Sequence, residues 1–367
     1  MEQIVLDHVS KRFDTKTLGT VTAVKDFCLT VKEGECFSFL GPSGCGKTTT
    51  LRMIAGFEDL SEGAIHLCGR PVSVKAKNLY VPPEERGLGM VFQAFAVWPH
   101  MNIFENVAFP LKVQKLNRTD IKARVTEALR HTSLTGTENS YPSALSGGEQ
   151  QRIALARAIV TNPKVMLLDE PLSNLDPKLR ETMRFEIKAL QKRFNFTIIF
   201  VTHDQSEAMA LSDRMLVMDM GKVVQTGTPT ELYNKPVSRF VHNFLGQSTF
   251  IDILLEDGKV YPKGDTSQAI DIPIPSGVKR EMVLATRPNA IDLNRETGYR
   301  TKIEKRIFLT DYTKYLVRVG SQVLTIQTPH RNVFSQGEEC FVRFLEPIWY
   351  PPDDAAAEAE RNRRQLI

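Results

Sequence analysis

The octapeptide Gly-Pro-Ser-Gly-Cys-Gly-Lys-Thr at 41–48 constrains this chain more than any other stretch. It fits G-x-x-x-x-G-K-[ST], a loop whose backbone N–H groups cradle phosphate oxygens. Its flanks fit as well. The apolar run at 36–40 predicts a buried strand, and 47–54, stopped by Ala55 and Gly56, predicts a helix. Gly41, Gly44 and Gly46 allow backbone conformations that a side chain would block. Pro42, Ser43, Cys45 and Thr49 complete the expected cradle. The helix N-terminus adds partial positive charge. Lys47 is placed to reach the β- and γ-phosphates of a nucleotide, and the Thr48 hydroxyl to hold Mg²⁺. A mere glycine-rich turn before a helix would not require all eight positions.

A length of 367 residues allows more than one domain. The formal charge of +4 is small for that length and gives no case for a nucleic-acid partner. No apolar run is long enough to span a bilayer, and the first residues lack the basic and apolar regions of a secretory signal. A cytosolic chain is therefore expected, held at any membrane by a partner. The five cysteines, Cys28, Cys36, Cys45, Cys68 and Cys340, form no C-x-x-C pair and read as free thiols. Cys45, inside the phosphate loop, is expected to be open to alkylation and shielded by nucleotide.

Along the chain, 4–9 and 21–31 read as strands, with Phe13 between them able to stack on an adenine face or to fill a core. A polar, rigid loop at 81–87 leads to a strand at 88–92 that ends at Gln93, within reach of Mg²⁺ or an attacking water. The pattern from 94 to about 151 turns helical, broken by Ser146, Gly147 and Gly148 before a helix at 150–160. That break offers an N-cap and exposed N–H groups, a second place able to hold phosphate or simply a well-capped helix. The apolar strand at 164–169 ends in Asp169 and Glu170. Asp169 can hold Mg²⁺ through water, and Glu170 can activate a water for in-line attack. Asp176 and Pro177 start a long helix, and another buried strand, 197–201, leads to His203, able to bond a γ-phosphate. Past 246 the texture becomes one of short alternating runs, an all-β signature, with a tail from 353 read as frayed helix or disorder.

Five motifs in this order resemble the ATP-binding subunit of an ABC importer of the sugar, polyamine, ferric-ion or phosphonate type, over nearly the whole chain. The resemblance implies an α/β fold. A P-loop NTPase ABC cassette at 1–240, with a RecA-like core and a helical subdomain at about 94–155, precedes a β-rich OB-like regulatory domain at 241–352. It matches Phe13 to the adenine-stacking position, Gln93 to the Q-loop, Ser146, Gly147, Gly148 and Gln150 to the signature, and Asp169 with Glu170 to the Walker B pair. Asp176 falls in the D-loop and His203 at the switch histidine. The catalytic set is then Lys47, Gln93, Glu170 and His203, with Thr48, Gln93 and Asp169 toward the metal. Phe13 stands where Tyr or Trp is common, and Asn174 where Ala is common. The implied cofactors are ATP and Mg²⁺. The implied partners are a second copy of this chain, set head to tail, and two integral membrane permease subunits docking near residues 93–101. A substrate-binding protein acts indirectly. The chain would be peripheral on the cytoplasmic side of the cell membrane. In the docking stretch, Phe95, Val97 and Trp98 are consistent with an apolar groove, though their pattern alone reads as core. The run 97–101 looks more like ferric-ion or phosphonate importers than sugar ones. A non-transport ABC ATPase and a regulatory binding module with secondary ATPase activity stand as alternatives.

Overall fold

The computed structural model describes residues 1–15, 19–331 and 333–352, and they fall into two compact units, Met1–Lys235 and Pro236–Ile367. The expectation for 353–367 lies outside the described residues.

The first unit is built on two sheets. One is antiparallel, in the order Gly19–Lys32, Glu2–Thr15, Glu62–Leu67, Arg70–Val74, Leu79–Tyr80. The other runs Lys222–Gly227, Arg214–Asp219, Cys36–Leu40, Thr197–Thr202, Val165–Asp169, Gly89–Val91, parallel except for the hairpin at its first edge. Every residue of Cys36–Leu40, Val165–Asp169 and Thr197–Thr202 is buried, as strands covered on both faces must be. Their apolar runs were legible for that reason. Their spatial order was not, because parallel neighbours are joined by long crossovers.

A helical layer, Ile103–Val113, Arg118–His131 and Gly147–Ile159, shares a hydrophobic core with the sheet strands and with the long helix Pro177–Phe194. Two boundaries differ from the sequence reading. Residues 94–102 are not helical: Phe95 and Ala96 have φ of 55° and 51°, and the first helix begins only where Asn102 caps it. The later helix starts at Gly147 rather than at 150, because Ser146 and Glu149 form a reciprocal capping box.

The loop at 81–87 hides a structural cation. Arg86 is only 3 % exposed. It donates to the carbonyls of Met53 and Ile54, at 2.8 Å each, at the C-terminal end of the phosphate-loop helix. Further bonds reach Val81 O at 2.7 Å and Ser73 Oγ at 2.8 Å. Burial pushes its guanidinium down from the ordinary value, and the carbonyl cage compensates. Arg86→Ala strips these buried acceptors of charged donors. It is expected to cost about 3 kcal/mol, a fall of roughly 6–12 °C in melting temperature for a domain of this size, measurable by calorimetry.

The second unit is all β among its longer elements. One antiparallel sheet has the order Lys259–Pro262, Thr249–Glu256, Glu281–Thr286, Ile348–Tyr350. The other runs Ile291–Asn294, Glu339–Phe344, Tyr299–Phe308, Thr313–Val319, Gln322–Thr328. Their inner faces meet in one apolar core around Tyr315 and Phe334. This is consistent with the OB-like expectation.

His242, on the short helix Arg239–Phe244, is 1 % exposed between the rings of Phe250 and Tyr350. Burial, with the Arg287 guanidinium adding to it, pushes its imidazole down to about 4. The folded state therefore keeps it neutral while the unfolded chain protonates from about pH 6.5 downward. Stability from this group is whole above pH 6.5 and is lost as pH falls toward 4, with a limit of about 3 kcal/mol. Urea titrations at pH 7 and pH 4.5 are expected to show that loss, and His242→Phe to flatten it.

Candidate functional site

The sheet order brings separate motifs to one edge. The strands ending at Val91, Asp169, Thr202 and Leu40 are consecutive neighbours, and each C-terminal end continues into a residue singled out above. Ligands of open α/β sheets sit at such an edge.

The phosphate loop is fixed by its glycines. A Cβ on Gly46, at φ 104°, would lie 2.5 Å from the carbonyl oxygen of Ala23, and one on Gly41 would lie 2.5 Å from that of Met218. Lys47 is 5 % exposed, and its Nζ donates to the carbonyls of Gly41 at 2.6 Å and Pro42 at 2.9 Å. The ammonium is thus tied inside the turn it serves. Cys45 is 4 % exposed, and burial raises its thiol above the ordinary range. The expected alkylation of Cys45 is corrected accordingly: the reactive thiolate is disfavoured and the sulfur is covered. Cys28 and Cys68 are the exposed thiols.

Beside the loop, the Thr48 hydroxyl donates to Asp169 Oδ1 at 3.2 Å. Asp169 is 8 % exposed, and burial pushes its carboxyl up, opposed by the Thr48 bond. A buried carboxylate beside a hydroxyl is a hard-oxygen donor set, the kind Mg²⁺ takes, so these residues fit that ion. Glu170 follows with φ 45°, a left-handed conformation held by its N–H bond to Val201 O at 2.9 Å. Strain of this kind persists where the surroundings over-determine it. Its Oε2 accepts from Gln93 Nε2 at 3.1 Å and lies 3.1 Å from His203 Nδ1. Three residues far apart in sequence therefore meet at one carboxylate oxygen.

Asn174, noted above only as a departure from the family pattern, and Arg180, absent from the sequence reading, set the backbone around this triad. Asn174 Nδ2 donates to Gln93 O at 2.9 Å. Arg180 donates to Ser173 O at 3.1 Å and Leu175 O at 2.9 Å, and lies 3.7 Å from Asp204 Oδ2. For Arg180 the available signal was a charged side chain five to seven residues past the turn, but nothing in the pattern said which carbonyls it would reach. Asp176 caps the following helix through Leu179 N at 3.1 Å.

Phe13 is half-buried on the strand Glu2–Thr15 and, among the described residues, joins no apolar cluster; Lys11 Nζ stands 4.7 Å over its ring. Among the described residues, the hydrogen bonds of Ser146 stay within its own helix start, and Gly147 and Gly148 lie against Leu175 and Leu179. The Gln150 amide donates to the carbonyls of Pro142 at 3.1 Å and Leu145 at 3.2 Å, so it shapes the turn. Phe95 and Val97 pack partly buried on the helical core, while Trp98, Phe109 and Pro110 line a surface groove.

A family model described as ABC transporter matches residues 24–173. The chain is 51% identical over 248 residues to the trehalose/maltose import ATP-binding protein MalK of Thermococcus litoralis, covering 67% of each chain. It is 45% identical to the spermidine/putrescine import ATP-binding protein PotA of Acetivibrio thermocellus, over 79% of each. It is 44% identical to the Fe(3+) ions import ATP-binding protein FbpC of Escherichia coli, over 78% of this chain and 80% of that one. Among solved structures it resembles a dimeric ATP-binding cassette in a post-hydrolysis state bound to ADP and Pi. The TM-score is 0.54 at 30% identity, over 62% of this chain and 98% of the other.

Proposed function

The chain belongs to the ABC transporter family, and from that membership we propose how its residues work as the ATP-hydrolysing subunit that energises import. The observation that carries the proposal is the meeting of Gln93, Glu170 and His203 beside a phosphate loop whose Thr48 and Asp169 are already paired.

In this reading the loop N–H groups and Lys47 bind the triphosphate, and Phe13 supports the adenine. Thr48 and Asp169, with the Gln93 side-chain oxygen, would hold Mg²⁺, which when bound neutralises charge on the phosphates. Glu170 orients a water and accepts its proton, and His203 donates to the γ-phosphate. Gln93 and His203 hold the base in place until the nucleotide engages them.

The subunit works as a dimer with membrane permease partners. We propose further that Ser146, Gly147 and Gly148 of one copy close on the nucleotide of the other. What these residues touch supports this: Ser146 bonds to Glu149, and Gly147 and Gly148 lie against Leu175 and Leu179, so among the described residues none of their hydrogen bonds goes to the phosphate loop of their own chain. The groove at Trp98, Phe109 and Pro110 is proposed to receive a permease segment. That would place the chain peripherally, on the cytoplasmic side; among the described residues no helix is long and apolar enough to cross a membrane. The unit from Pro236 onward is proposed as the regulatory domain. An extracytoplasmic binding protein would act through the permease. The relatives carry sugar, polyamine and ferric-ion names, so substrate choice is assigned to those partners.

Affinity capture from detergent-solubilised membranes of the source cell tests the transport reading. Integral membrane proteins are expected to co-purify in stoichiometric amount. Ribosomal components in their place would transfer the protein to the non-transport branch.

A further inference from the structure

Arg157 is half-buried in the last turn of the helix Gly147–Ile159 and reaches away from it. Its Nη1 donates to Ala96 O at 2.8 Å and its Nη2 to Phe95 O at 3.1 Å. Its guanidinium carbon lies 4.6 Å from the centroid of the Trp98 ring, which in turn stands 4.5 Å from that of Phe109. Burial alone pushes its ionisation down, with no carboxylate beside it among the described residues. A guanidinium buried without a counter-ion is unfavourable unless its donors are used elsewhere. Here they are used on the carbonyls of two residues that are themselves strained, both in the left-handed region without being glycine.

The other side of the same segment is held by Asn106, fully buried on the helix Ile103–Val113. It accepts from Trp98 N at 2.9 Å and donates to Trp98 O at 3.1 Å and Met101 O at 3.0 Å. Residues 95–98 are therefore clamped between two helices. Only one of those helices begins at Ser146.

We propose that Arg157 is a positioning residue that transmits displacement of the Ser146–Gly148 helix start to the Trp98 groove. The inference rests on the nucleotide reading above. The helix Gly147–Ile159 is the bar: its N-terminus faces the partner's nucleotide and its last turn grips the groove segment. When that helix shifts relative to the Asn106 helix, the carbonyls of Phe95 and Ala96 follow the guanidinium. The strained turn yields first, because its two left-handed residues gain by relaxing toward ordinary backbone conformations. Trp98 then changes its setting against Phe109. If instead both helices move as one body, Trp98 keeps its surroundings.

The chain supplies its own reporter. Its two tryptophans are Trp98 and Trp349, so Trp349→Phe leaves Trp98 as the sole indole. In that background, with Glu170→Gln to slow turnover, ATP with Mg²⁺ is expected to shift Trp98 emission. Arg157→Met keeps the aliphatic stem and removes the forked donors; it is expected to lose the ATP-dependent shift while nucleotide affinity, measured with a fluorescent ATP analogue, is unchanged. A full-sized shift in Arg157→Met overturns the proposal. So does an unresponsive Trp98 in the Arg157 parent when the titration shows ATP bound. A parent that binds no ATP overturns the nucleotide reading beneath it. Should Arg157→Met fail to fold by circular dichroism, Arg157→Lys is read in its place. Lysine cannot hold both carbonyls in one fork, so its shift is expected to be diminished, and an undiminished one counts against the role.

Discussion

Glu170→Gln is expected to leave ATP binding intact and to lower hydrolysis by roughly 100- to 10,000-fold, the span that general-base catalysis contributes. The geometry makes the substitution clean. Glutamine keeps an acceptor oxygen for Gln93 Nε2 and His203, which now share Glu170 Oε2 at 3.1 Å each. It can keep the φ of 45°, because the backbone bond to Val201 does not involve the side chain. What it loses is basicity. Slow turnover with retained binding should accumulate the closed dimer, visible as an ATP-dependent mass doubling in light scattering. Hydrolysis at the parent rate would remove Glu170 from the base role, and loss of ATP binding would show that its part is structural.

Lys47→Ala carries the second large effect, on binding. The ammonium is the one cation inside the loop Gly41–Thr48, and charge-assisted bonds to phosphate are each worth about 1.5–3 kcal/mol. Nucleotide affinity is expected to fall about 100-fold, near 3 kcal/mol. A second contribution comes from the loop itself, since Gly41 and Pro42 lose the donor that now ties their carbonyls. Isothermal titration with ADP and with ATP separates the two. Loss of γ-phosphate contact weakens ATP more, whereas collapse of the turn weakens both alike. An affinity unchanged for either nucleotide would be incompatible with the loop assignment.

These two experiments address opposite kinds of legibility. Lys47 was readable from eight consecutive residues, because a phosphate loop is local: strand, turn and helix lie within twenty positions and their chemistry depends on order alone. Glu170 was readable only as an acid at a strand end. Its contact with Gln93 and His203 spans 77 and 33 residues and depends on which strands are neighbours. Arg86 is hard to read from the sequence for the same reason. A polar loop residue looks solvated until the fold sets it under the end of a helix. Residues 94–102 went the other way: their composition suited a helix, but the carbonyl-binding Arg157 and the amide of Asn106 hold them in a strained turn.

The amino-acid order by itself determined the phosphate loop, the buried strands and the switch to β texture past 246, since each follows from short-range periodicity or glycine placement. Only the tertiary structure decided that the strands ending at Val91, Asp169, Thr202 and Leu40 stand side by side, and that Cys45 is shut away. Only it set Gly147 and Gly148 against Leu175 and Leu179. The physical reason is that strand neighbours and buried polar contacts are chosen by packing between distant segments, and no local pattern of residues encodes the partner.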